Sequence, residues 1–287
     1  MRIVLGTRGS AAALAQTQLV AGALGGDVEI RIVRTHEAEA PERPLRELGD
    51  GMFVSRLEDA LRRGEIDVAV HALKDLPTGE RPGLVVPAVP RRDDPRDVVF
   101  TRERHGLGAL THGATVGTGS PRRAAFLRAL RPDLEVRDIR GNVDTRMQKV
   151  LSGGYDAAVL ALAPLRRMGI GVDDVEILSF DEMLPAPGQG AIAAQCRIDD
   201  ASARELLAAI DDRAAHLATD AERAVLHALG ASCLVPLGTY AHMEDGEVVL
   251  VAALAEGGVV RVRERGRDPE EVGRRAAAGL RQVTPVG

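Results

Sequence analysis

The chain has 287 residues, 45% of them hydrophobic and 28% charged, and a net charge of −5. That charge argues against a generic nucleic-acid binder, and an aromatic content of 2% without Trp argues against a stacking platform for bases or sugars. Two cysteines make no disulfide framework, the first residues lack a signal-peptide layout, and no apolar run is long enough to span a bilayer; a cytoplasmic protein without membrane or nucleic-acid partners is expected.

In chain order, Ile3-Val-Leu-Gly6-Thr7-Arg8-Gly9-Ser10 is an apolar strand, a Gly/Thr turn and a Ser, followed by an Ala/Leu-rich helix from Ala11 to Leu24. Asp67–Ala72 is a short apolar strand leading to Leu73-Lys74-Asp75. The Pro- and charge-rich stretch from Arg81 to Pro95 reads as a crossover between lobes. Thr115-Val-Gly117-Thr118-Gly119-Ser120-Pro121 repeats the opening plan, with Ser120 as N-cap and Pro121 at the first helical position. A second apolar strand follows Asp156. Met183–Gly190 is a Pro/Gly segment expected to return the chain to the first lobe. Beyond Asp200 come an amphipathic helix over 220–229, a loop holding Cys233, strands joined at Asp245-Gly246 and Gly257-Gly258, and a final helix capped at Asp268-Pro269. Strands alternating with helices predict an α/β fold with two similar lobes and a cleft, plus a small α+β C-terminal domain.

The repeat also marks a difference. Asp67-Val-Ala-Val-His-Ala-Leu-Lys-Asp-Leu76 aligns with Asp156-Ala-Ala-Val-Leu-Ala-Leu-Ala-Pro-Leu165, and Lys74-Asp75 meets Ala163-Pro164. Shared residues read as scaffold, so the Lys-Asp pair reads as an addition. Only Lys74 and Lys149 are lysines among 37 basic residues, leaving 35 arginines. Asp75 beside Lys74 is a candidate to stabilise a developing cation or shuttle a proton. Arg8 lies in the first helix-entry turn, Arg122 and Arg123 at the start of the equivalent helix, and Arg140 and Arg146 flank Gly141–Thr145. Arginine is disfavoured by the helix dipole at an N-terminus but offers a planar fork to carboxylates or phosphates, so a polyanionic ligand is expected. His71, whose counterpart is Leu160, reads as a packed strand histidine. Cys233, in a small-residue loop, is a candidate nucleophile or attachment point; Cys196, in an apolar run, reads as buried. No metal-ligand spacing, P-loop or dinucleotide fingerprint is present.

Together these segments resemble the porphobilinogen deaminase (hydroxymethylbilane synthase) family. The resemblance rests on Gly6–Ser10, Val70–Asp75, Arg92–Asp97, Gly117–Arg123, Arg140–Arg146, Leu184–Gly190 and Cys233–Gly238, in order over nearly the whole chain. It implies a transferase of tetrapyrrole and heme biosynthesis that joins four porphobilinogen units head to tail, with loss of ammonia, onto a covalent dipyrromethane primer, then hydrolyses off hydroxymethylbilane. It implies that the primer is attached at Cys233 and that Asp75 is the catalytic carboxylate. Arg8, Ser10, Lys74, Thr118, Ser120, Arg122, Arg123, Arg140, Arg146 and Gln189 match ligands of cofactor and substrate. It implies a monomer of three domains, 1–90 with 185–203, 91–184, and 204–287, the first two like periplasmic binding protein lobes. The chain departs from the family pattern in a loop, Leu48–Phe53, that lacks the usual lysine and leaves Arg46 to supply charge. Glu37-Ala38 replaces a usual Gly-Asp pair, and Gln195 stands where Glu is common. On the residues alone, a non-catalytic anion-binding module and a Schiff-base lyase using Lys74 are the alternatives.

Overall fold

The computed structural model describes residues 2–33, 54–103, 105–172, 175–230 and 235–283. The segments bearing Glu37-Ala38, Arg46 and the 48–53 loop, and the attachment candidate Cys233, lie outside them. The described residues fall into two compact units, 1–93 with 190–216, and 94–189 with 217–287.

The first unit contains β1 (Ile3–Thr7), α1 (Ala11–Leu24), β2 (Val28–Ile32), α2 (Ser55–Arg62), β3 (Val68–Ala72) and β4 (Leu84–Ala88). The second contains β5 (Asp97–Thr101), β6 (Thr115–Gly117), α3 (Pro121–Leu130), β7 (Glu135–Arg137), α4 (Val143–Leu151), β8 (Ala157–Ala161), α5 (Leu162–Arg167) and β9 (Glu176–Ile177). The chain then supplies β10 (Ile192–Arg197) and α6 (Ala201–Ala208) to the first unit. After α7 (Arg213–Ala228), which begins there and continues in the second unit, come β11 (Leu237–Glu244), β12 (Glu247–Ala255), β13 (Val259–Gly266) and α8 (Pro269–Val283).

The two larger sheets have one topology. In the first, the strand order is β2-β1-β3-β10-β4; in the second it is β7-β6-β8-β5-β9. The first three strands of each are parallel, and the fourth runs antiparallel to both neighbours. The repeat therefore holds at the level of strand order, and the fold is mixed α/β. The third sheet, β11-β12-β13, is an antiparallel meander. Asp245 and Gly246 both have positive φ at its first turn, as a tight two-residue hairpin requires.

Shared residues do shared work. In the first unit the Asp67 carboxylate accepts from the Val4 N–H at 2.9 Å, while the Asp67 N–H donates to the Val4 carbonyl. In the second the Asp156 carboxylate accepts from the Thr115 N–H at 2.7 Å, and its N–H donates to the Thr115 carbonyl. Each Asp thus pins the first strand of its repeat against the strand it precedes. The glycines match as well. A Cβ on Gly6 would come within 2.3 Å of Ile66 Cδ1, and one on Gly117 within 3.0 Å of Ile139 Cβ. Filling either space is overpacking, which costs about 1–3 kcal/mol.

Two expectations are revised. The stretch from Arg81 to Pro95 is not all crossover: β4 occupies its middle, held by β10 on one side, with Leu84 and Ala88 buried. The amphipathic helix begins at Arg213 rather than near 220, because Asp212 accepts from the Ala214 and Ala215 N–H groups and starts it earlier.

Candidate functional site

In the first unit β1 and β3 are adjacent and parallel, so their C-terminal ends share one sheet edge. Parallel α/β sheets present their ligand sites at such edges. Arg8 follows β1 directly. Ser10 caps α1, accepting from the Ala13 N–H at 3.3 Å. β3 runs into a 3₁₀ turn, Leu73–Asp75, closed by the Leu76 N–H to the Leu73 carbonyl. Leu73 is buried, and its N–H donates to the Ala191 carbonyl, which fixes the turn's start. Lys74 and Asp75 are half-buried there. The Asp75 carboxylate has no hydrogen bond or ion pair among the described residues. At the equivalent place in the second unit, α5 buries Ala163 and Leu165. The structure thus brings Arg8, Ser10, Lys74 and Asp75 to one edge.

Behind β3 lies a buried polar chain. His71 Nε2 is 3.1 Å from Gln195 Oε1, and Gln195 Nε2 donates to Glu58 Oε1 at 3.2 Å. Glu58 is also paired with Arg81 at 3.3 Å. Since Gln195 Oε1 only accepts, His71 carries its proton on Nε2. Burial pushes His71 down to about 4, the Gln195 bond opposing and the Arg8 and Arg81 charges adding to it. His71 is therefore the packed neutral histidine expected. Cys196 is also buried, and desolvation pushes its thiol up to about 11, an inert group.

In the second unit the C-terminal end of β6 carries Thr118 and Ser120. Thr118 is buried, its hydroxyl accepting from the Ser120 N–H at 3.2 Å, and Ser120 caps α3 with Pro121 at the first position. Arg122 and Arg123 do not point outward from that helix end. They are only 4% and 6% exposed and converge on Asp97, which is fully buried. Arg123 donates through Nε at 3.2 Å and Nη2 at 2.8 Å to Asp97 Oδ1, and through Nη1 to the Val159 carbonyl at 3.0 Å. Arg122 Nη2 lies 2.8 Å from Asp97 Oδ2, an ion pair without hydrogen-bond alignment, and its Nη1 donates to the Leu184 carbonyl. Gln189 Nε2 completes the cluster, donating to Asp97 Oδ1 at 2.8 Å and to the Pro95 carbonyl at 2.6 Å. Burial alone would raise Asp97; the two guanidiniums and the Gln189 amide overcome it and hold the carboxyl at about 2. Arg122 Nε is buried with no hydrogen-bond partner among the described residues. Arg140 pairs with Asp138 at 2.8 Å, and Arg146 Nε donates to the Gly141 carbonyl at 2.8 Å, folding both around the start of α4.

Asp97 is the residue that sequence reasoning missed. It stands in the Arg92–Asp97 motif, but nothing in that motif shows which of its three carboxylates is buried. No group of His, Cys, Asp and Glu suited to a metal ion occurs among the described residues, and none of their helices is long and apolar enough to cross a membrane.

Two family models match the chain. That for the porphobilinogen deaminase dipyromethane cofactor binding domain covers residues 3–205, and that for the porphobilinogen deaminase C-terminal domain covers residues 216–282. Curated relatives include porphobilinogen deaminase of Roseiflexus sp., 45% identical over 94% of this chain and 92% of that protein. The relative from Leifsonia xyli is 49% identical over 87% and 78%. A probable porphobilinogen deaminase of Pyrobaculum calidifontis is 44% identical over 99% of both chains. Among solved structures, a putative methionine-binding lipoprotein from Bacillus subtilis is similar at 12% identity, with a TM-score of 0.45 over 74% of this chain and 91% of that one. With both family models matched in order, and relatives of this identity aligned over 78–99% of their length, the chain belongs to the porphobilinogen deaminase family.

Proposed function

We propose that Asp75 is the catalytic carboxylate of a hydroxymethylbilane synthase whose arginines hold the acetate and propionate groups of the pyrroles. The family is one of transferases that use a dipyrromethane cofactor and porphobilinogen as substrate. The observation that carries the proposal is the paired design of the two sheets. One topology is used twice, and the copies differ at a carboxylate without partners among the described residues, Asp75, where the other has buried Ala163 and half-buried Pro164.

The residues present fit the cofactor. A dipyrromethane carries carboxylates, and the buried Nε–H of Arg122 is a donor without an acceptor among the described residues, which a ligand carboxylate would satisfy. Arg8, Ser10, Lys74, Thr118, Ser120, Arg122, Arg123, Arg140 and Arg146 would hold it and the substrate, with Cys233 as the attachment point. When bound, the cofactor supplies the electron-rich pyrrole carbon that initiates the chain. The protein's share is electrostatic. Asp75 stabilises positive charge on a pyrrole nitrogen as ammonia leaves, and it accepts and returns a proton there. Lys74 and the arginines fix the carboxylates, so the reacting ends meet in one orientation. Gln189, whose Nε2 donates to Asp97 and the Pro95 carbonyl, supports the arginines from behind and belongs to the same set of binding residues.

Three sheets support a three-part division into 1–90 with 185–203, 91–184 and 204–287. A cytoplasmic monomer is part of the same reading. Intact mass tests it: the purified protein should be heavier than its sequence by two pyrrole units and should give an acid-aldehyde pyrrole colour. The bare sequence mass, persisting after incubation with porphobilinogen, would overturn it and favour an anion-binding module.

A further inference from the structure

Asp97 occupies an odd position for a carboxylate in a site expected to bind carboxylates. It is fully buried, and it competes for the same donors a ligand would use. Three side chains converge on it: Arg122, Arg123 and Gln189, all within 2.8 Å at their nearest atoms. Its backbone is fixed as the first residue of β5, paired with Ala161 at the end of β8. The turn bringing Gln189 is itself clamped. Glu222 on α7, also fully buried, accepts from the Gly188 N–H at 2.8 Å and from the Ala241 N–H of β11 at 2.8 Å. Gln189 is thus tied through the adjacent Gly188 to α7 and β11.

We propose that Asp97 is a positioning residue for the cofactor and substrate carboxylates: it takes one edge of the Arg123 guanidinium and one corner of Arg122, and so fixes which donors remain for a ligand. This rests on the reading of Arg122 and Arg123 as ligands. The geometry distinguishes it from simple charge balance. Two adjacent buried guanidiniums repel each other, and each has several rotamers available once unanchored. With Asp97 in place, Arg123 has Nε and one Nη2 hydrogen committed to Oδ1, and Nη1 committed to the Val159 carbonyl. Its remaining donors then have one orientation. Arg122 is held by Leu184 and Asp97, which leaves its Nε–H without an acceptor among the described residues. A carboxylate meeting this pair finds donors already oriented, so less ordering is charged against binding.

The two explanations predict opposite signs. If Asp97 only diluted positive charge, removing its charge would tighten anion binding and lower KM. If it positions the arginines, removing it frees them and raises KM. The test is Asp97→Asn in the cofactor-loaded enzyme, assayed with porphobilinogen. We expect KM to rise at least tenfold with kcat within threefold of the parent. Arg123→Gln should raise KM similarly, and adding Asp97→Asn to it should raise KM by clearly less than the product of the two single effects, because Asp97 then has only Arg122 left to orient. An unchanged or lowered KM in Asp97→Asn, even with a lowered Tm, overturns the positioning role; so does full additivity in the double variant. An unchanged KM in Arg123→Gln instead overturns the ligand reading on which the proposal stands. Should Asp97→Asn fail to fold, Gln189→Met removes one of Asp97's donors with smaller disturbance. A KM rise of about threefold with a near-parent Tm supports the same role, and no change in KM counts against it.

Discussion

Lys74 and Asp75 sit at the end of a strand whose counterpart continues into a helix that begins with the apolar run Leu162–Leu165. Because the Asp75 carboxylate touches no protein partner among the described residues, its removal should leave the scaffold intact. Asp75→Ala is expected to retain the covalent cofactor by intact mass yet lose at least ~100-fold in kcat, the scale of a lost charge-stabilising or proton-transferring group. Near-parent turnover would remove Asp75 from the mechanism. Cys233→Ser should purify at its bare sequence mass. A covalent cofactor surviving that change would have to move to Cys196, and the burial of that thiol, pushed up to about 11, makes it a poor nucleophile. Asp75 was legible in the sequence because an internal repeat supplied its own control. Asp97 was not. It lies 25 positions before Arg122 and 92 before Gln189, and only the pairing of β5 with β8, with α3 entering beside them, brings the four side chains together.

The repeated Asp is a matched experiment at the scale of the element. Asp67→Ala and Asp156→Ala each strand a backbone N–H of the neighbouring strand, Val4 or Thr115. Each should lower stability by about 0.5–1.5 kcal/mol in denaturant unfolding, without altering the residues at the sheet edge. A loss in one unit alone would show that the equivalence is of sequence and not of energetics. The chain from His71 through Gln195 to Glu58 ties β3, β10 and α2 together and carries a pH signature. His71 is neutral in the fold with its pKa lowered from 6.5 to about 4, so between those values the unfolded chain binds the extra proton. Stability is thus unaffected above pH 6.5 and falls by about 3 kcal/mol as pH drops towards 4. His71→Asn or Gln, monitored by Tm against pH, should flatten the curve over that window. An unchanged slope would place the titration elsewhere. The sequence identified His71 as packed, since its counterpart is Leu160. It did not reveal the partner, since Gln195 is 124 residues away on a strand that reaches β3 only after the chain has built most of the second unit.

For the whole molecule, acid brings a second loss after that of His71. Asp97 is held at about 2 against an ordinary 3.8, so its contribution is complete above pH 3.8 and is lost as pH falls through 2, about 2 kcal/mol in all. Acid unfolding should therefore show two stages, with Asp97→Asn removing only the lower one. By itself the sequence determined the α/β class, the repeat, the helix starts at Ser10, Ser120 and Asp268, the turn at Asp245-Gly246, and the family. Each of these is encoded within a few neighbouring residues by capping, turn chemistry or a contiguous motif. Tertiary structure decided the fourth strand of each sheet. β10 and β5 share no sequence pattern, yet they occupy the same place in the two sheets, because the chain reaches each one immediately after passing between units. It also decided the fate of Arg122 and Arg123. From sequence they are two cations at a helix start; in the fold they turn inward to a buried carboxylate, because a desolvated guanidinium needs an anion, and Asp97 is the one that strand pairing delivers.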